Sequence, residues 1–234
     1  MKDQHMLVNS NPPFSQRKTA ITLITVNVLS LFAMAHHPTA HGESGTGLLN
    51  ALVAMGGLNQ FIHGALIATT LITWLCLVEF STSGFKHWLV RNALLLYSFG
   101  TLAMTGAALI NGFVSIRLAD QLLHASADLQ QGGPLLLQFS WAVNQTLVGF
   151  AVIAMCAGIA CWSLHLCSGS KHARILGIAG LIMAITQIGM QWIHHGNYDV
   201  HQMMVFVVWH ALWCIAIAFL MLGREKHANT VKAE

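Results

Sequence analysis

Residues 139–166 read FSWAVNQTLVGFAVIAMCAGIACWSLHL, with no Asp, Glu, Lys or Arg anywhere in the run. A helix of that length rises about 40 Å at 1.5 Å per residue. The hydrocarbon core of a bilayer needs only about 20 apolar residues. The stretch therefore reads as a membrane span, and the rest of the chain follows it. Of 234 residues, 55% are hydrophobic and 8% charged, against about 25% charged in a soluble domain. Working outward, five further apolar runs lie near 19–35, 58–80, 92–116, 173–195 and 202–222. The expected fold is all-α: a polytopic transmembrane bundle of six spans, forming one membrane domain over 1–234.

Lysine and arginine set the orientation of such a bundle. Lys2, Arg17 and Lys18 precede the first span, Lys86 and Arg91 separate the second and third, and Lys171 and Arg174 separate the fourth and fifth. Arg224, Lys226 and Lys232 follow the sixth. Of the 11 cationic residues, only Arg117 falls on the other side. Both termini are thus expected in the cytoplasm, with the protein multi-pass in a plasma or inner membrane. The outer connections, near Pro38–Gly57 and Arg117–Gln138, are too short for domains and read as loops laid over the bundle. Arg17-Lys18, the first apolar run and Ala33-Met34-Ala35 also fit a cleaved signal peptide, which would leave His36 at the mature N-terminus.

The 5 cysteines form no C-x-x-C pair and lie mostly in apolar runs, which argues against a thiol-oxidising enzyme and for buried small hydrophobes. A shift of 85 positions lays Asn59-Gln60 on Asn144-Gln145, Cys76 on Cys161 and Lys86-His87 on Lys171-His172. Spans 2–3 and 4–5 are thus a candidate parallel repeat of the kind found in transporters and other bundles.

The 14 histidines are unevenly placed. His5, His87, His165, His172 and His227 fall among the cytoplasmic cations and read as interfacial. His124 lies in the second outer connection. His36, His37 and His41 follow span 1, His63 opens span 2, His194 and His195 close span 5, and His201 opens span 6. Alternating span directions bring these seven to one leaflet. Gln187, Gln191, His194 and His195 occupy i, i+4, i+7 and i+8, one helical stripe, which should face the bundle interior and not lipid. Asn59, Gln60, Asn144, Gln145 and Gln202 place amides at the same depth, with Asp199 nearby.

Imidazole suits zinc, copper and iron, so His63, His194, His195 and His201 are the first candidate ligands and His36, His37 and His41 the second source. Asn59, Gln60, Asn144, Gln145, Gln187, Gln191, Asp199 and Gln202 are candidates to orient the rings or line the site. His210, in Trp209-His210-Ala211-Leu212-Trp213, lies near mid-bilayer, where an ionisable group marks either a deeper site or a satisfied interhelical ring. Against all this stands the plainer account: interfacial histidines are solvated, and amides cap or bridge helices.

The expected function is a histidine-rich transition-metal (copper, zinc or iron) or haem site near the outer face of a membrane protein, in a metalloenzyme or redox protein. A redox role requires copper or haem, and a hydrolytic one zinc holding a water. Two alternatives stand beside it: a transporter coupling ions or protons through histidines, and a non-catalytic membrane subunit. The expected partners are the bilayer and an ion or small molecule from the outer side. Nucleic acid is not among them.

Overall fold

A computed structural model describes residues 16–38, 46–193 and 198–233. All regular structure among them is helical: α1 (Gln16–Ala35), α2 (Thr46–Ala54), α3 (Gly56–Thr82), α4 (Trp88–Leu109), α5 (Ser115–Leu123), α6 (Ala127–Cys167), α7 (Lys171–Ile193) and α8 (Val200–Ala233). A π-helical segment, Ile110–Val114, joins α4 to α5 without a break. Six stretches are long and apolar enough to cross a membrane, each containing one of the runs read from the sequence, apart from the last two residues of 173–195.

The bundle is built around α6, whose apolar window is 61% buried while the other five spans stay between 33% and 39%. The helix packs along α4 on one side and α7 on the other, and α1 fits between α3 and α8. Small residues set these spacings, because helices without a solvent-driven force associate by close van der Waals contact. A Cβ on Gly100 of α4 would lie 2.8 Å from the Met155 backbone nitrogen and 2.9 Å from the Ala151 carbonyl of α6. At that crossing the two backbones touch. The core between them holds Tyr97, Trp162, Ile159 and Cys156, all nearly inaccessible. Phe61, Phe139, Trp192 and Ile193 point outward as a lipid-facing surface.

Polar pairs also tie α1 into the bundle. Asn27 is 1% exposed; its amide donates to the Leu23 carbonyl (2.8 Å) and to Thr73 Oγ1 (3.3 Å). Ser30 donates to Thr69 Oγ1 at 2.7 Å. An amide buried in an apolar bundle costs energy unless bonded, so these contacts specify the α1–α3 register.

Among the described residues, both connections expected as outer loops hold helices. The first contains α2, and the second is α5 followed after three residues by α6, which begins 12 residues before the expected span. The reason is amphipathicity at a short length scale. Ile116, Ala119 and Leu122 recur at i, i+3 and i+6 on α5 and are buried, the last two in one cluster with Leu49 of α2. A helix that can bury such a stripe is more favourable than a loop with unpaired backbone groups. Pro134 lies in α6, eighth from its start.

Candidate functional site

His63 sits two turns into α3, is 4% exposed, and is bonded on both ring nitrogens. Its Nδ1 lies 2.9 Å from the Asn59 carbonyl, an acceptor only, so Nδ1 carries the proton. In the neutral ring Nε2 is then a lone pair. Two groups converge on it: the Asn111 amide, which donates at 3.2 Å, and His37 Nε2 at 3.4 Å. The His37 and His63 rings meet edge to face, with centroids 4.9 Å apart.

The π-helical segment makes this possible. Its extra residue per turn turns Asn111 toward His63 and opens the Asn111 carbonyl, which accepts from the Asn59 amide at 3.1 Å. Next to it, Gly112 lies flat against the imidazole; a Cβ there would come within 2.7 Å of His63 Cγ. Such π-bulges occur often at functional sites because they redirect a side chain out of the α register.

His37 follows the end of α1 and is half-buried. Its Nδ1 is buried with no hydrogen-bond partner. Burial holds its pKa below the ordinary histidine value of 6.5, and the neighbouring Pro38 carbonyl offsets only part of that effect. His37 is therefore neutral at pH 7, with a nitrogen lone pair available.

Beneath the pair a cavity of about 170 Å³ runs into the bundle, lined by residues of α1, α3, α4, α6 and α8. Asn27, Thr73, Asn144 and Gln145 supply polar wall, and His210 lies at the inner end. Tyr97 Oη and His210 Nε2 are 2.6 Å apart, and Cys214 Sγ is 3.7 Å from the same nitrogen. Trp162 meets Tyr97 at an interplanar angle of 57°, with centroids 5.4 Å apart, and belongs to the packed core.

The remaining sequence candidates divide. Gln145 holds Tyr198 by both backbone groups, donating to its carbonyl (3.1 Å) and accepting from its N–H (2.7 Å). Gln187 is buried, and Gln191 accepts from the Tyr198 hydroxyl at 3.3 Å. Burial raises the Tyr198 pKa, which keeps that hydroxyl a donor. Gln60 is half-buried, His201 exposed near Gln187 and Gln191. His36 is exposed, bonded through Nδ1 to the Phe32 carbonyl at 2.9 Å. His124 does the same with Asp120. His41, His194 and His195 lie outside the described residues. Among the described residues, no three His, Cys, Asp or Glu side chains converge as a metal-ion group.

Asp199 and Gln202 form a reciprocal cap on α8. Gln202 N–H donates to Asp199 Oδ1 (2.8 Å), and Asp199 N–H to Gln202 Oε1 (3.1 Å). This is a capping-box arrangement. We expect Asp199→Ala to cost about 1 kcal/mol of stability and to leave ion binding at the His37–His63 pair unchanged, checked by thermal unfolding and metal titration of the same sample.

Sequence reading missed the cavity-facing stripe of α1 and the partner of His210. Asn27, Ser30, Met34 and His37 fall at i, i+3, i+7 and i+10, a stripe that carries α1 onto the cavity wall. Tyr97 is one of only two tyrosines, and a buried tyrosine needs a partner for its hydroxyl. Asn111 lies near the end of the third apolar run, and its approach to His63 depends on the π turn. No protein-family model matches the chain, and neither any curated protein nor any solved structure is similar to it.

Proposed function

We propose that this integral membrane protein binds a transition-metal ion between His37 and His63, at the outer end of the bundle. The observation that carries the reading is the 3.4 Å separation of the two Nε2 atoms. Two imidazoles on one tetrahedral ion, at metal–nitrogen distances near 2.0–2.1 Å, stand about 3.4 Å apart. Two further features support it. His63 donates its other N–H to a backbone carbonyl, the usual way a ligand ring is oriented. Both rings are held without a proton on at least one nitrogen, so no charge must be displaced at pH 7.

Water would supply the remaining positions. The cavity matches in size one that takes benzene and is far smaller than a porphyrin, which favours an ion over haem. His210 in its wall is bonded to Tyr97 of the packed core, which favours a binding site over a through path. With ten of eleven cationic residues on the side of the termini, the ion enters from the outer face of a plasma or inner membrane.

The test is titration of the purified chain with Co(II), followed by Zn(II) displacement. One tetrahedral Co(II) per chain is expected; absence of the tetrahedral absorbance, with no Zn(II) effect on thermal stability, would overturn the reading. The pH dependence has a defined sign. Burial penalises the protonated, charged His37, so its proton leaves at lower pH than that of a free imidazole. Metal competes with that proton only below the lowered pKa. Affinity is expected to stay level from pH 8 to about 6.5 and to fall below it. A midpoint at or above 6.5 would contradict it.

A further inference from the structure

The cavity below the imidazole pair has a chemical bias that the pair alone does not. Met34 of α1, Met104 of α4, Met155 of α6 and Met203 of α8 all line it. Four different helices thus bring four of the chain's 11 methionines to one space. At its inner end stands His210, with the Cys214 thiol 3.7 Å from Nε2. Asp199 is the one carboxylate among the lining residues, and it is engaged in capping α8.

Methionine is often a flexible gap-filler. A filler has no reason to collect around a space that stays open, and these four surround one of about 170 Å³. Thioether and imidazole, with a thiol beside them and no free carboxylate, make a ligand set for a soft d10 cation. Divalent zinc prefers imidazole, thiolate and carboxylate, whereas thioether selects Cu(I).

We infer that the cavity is a second ion site, selective for Cu(I), with Met155, Met203 and His210 as its principal ligands and Cys214 beside them. The ion binds and leaves as Cu(I), so no electron is transferred. Entry past His37 and His63 rests on the function proposed above; the cavity's own ligands do not.

The experiment uses the full-length chain in detergent under anaerobic, reducing conditions, with Cu(I) titrated against a colorimetric chelator. Three proteins are compared: wild type, His37→Ala/His63→Ala, and Met155→Leu/Met203→Leu. Met-to-Leu exchange conserves volume and is tolerated in cores. The histidine double variant is expected to retain one Cu(I) per chain. The methionine double variant is expected to lose at least tenfold in affinity for that ion while holding Co(II) as wild type does. Copper K-edge absorption should show sulfur neighbours in the wild type that diminish in the methionine variant. Loss of all Cu(I) from the histidine variant, or unchanged Cu(I) affinity in the methionine variant, would overturn the inference. If Co(II) never binds the wild type while Cu(I) remains methionine-dependent, the imidazole-pair reading falls and the cavity site stands.

Discussion

Replacing both His37 and His63 by alanine should lower Co(II) and Zn(II) affinity more than 100-fold, because outer partners of a metal ligand alone are worth about 10–100-fold. The two Nε2 atoms lie at hydrogen-bonding distance, so the rings face each other ready to share an ion. The variant also removes a crowded arrangement. In the metal-free protein the Asn111 amide and His37 Nε2 both approach one lone pair on His63, and His37 Nδ1 is buried without a partner. An orphaned buried acceptor costs about 1–3 kcal/mol. Truncating His37 alone should therefore be mild in the absence of metal, while metal-dependent stabilisation disappears. A thermal melt with and without Zn(II) separates the two. If the double variant is stabilised by Zn(II) as much as the wild type, the ion binds elsewhere.

The largest expected loss of stability comes from one methyl group in the wall of the bundle. Gly100→Ala places a Cβ against the Met155 nitrogen and the Ala151 carbonyl, both backbone atoms. Neither can rotate away, so α4 and α6 must move apart along the most extensive helix contact among the described residues. Overpacking of this kind costs about 1–3 kcal/mol, and more where only backbone can yield; the upper end is expected here. Gly189→Ala is the control, since nothing lies within 4 Å of its added Cβ. There the usual helical gain of about 1 kcal/mol over glycine should appear. Equal melting temperatures for the two variants would mean that the α4–α6 crossing is looser than described.

The six spans were legible because charge is so strongly excluded from them; residues 139–166 need no periodicity to be assigned. Gly100, Ala103 and Ala107 recur at i, i+3 and i+7 of the third run, and small residues at that spacing have little use in a span other than packing. The capping helices were not, because nine residues of α2 or α5 resemble loop by length, and their apolar stripes acquire meaning only against each other. His63 stood out as an imidazole inside an apolar run. Its partner His37 was one of three equal neighbours, and only the path of the chain after α1 singles it out. His210 was visibly out of place at mid-bilayer, yet Tyr97 lies 113 positions away, and no local pattern connects residues so far apart. Asp199 and Gln202 show the opposite error. Their spacing is that of a helix cap, and nearby histidines drew attention from the commoner use.

The π turn at Ile110–Val114 ties two parts of the molecule to a single count of residues. On its inner side, α4 presents Gly100 to α6; on its outer side, α5 presents Ala119 and Leu122 to α2. Removing one residue from this turn would restore an unbroken α-helix and swing everything beyond it by about 100°. Asn111 would leave His63, and the apolar stripe of α5 would leave α2, in the same step. The lid over the outer end and the ligand geometry beneath it are thus indexed together, and neither can drift in length without the other.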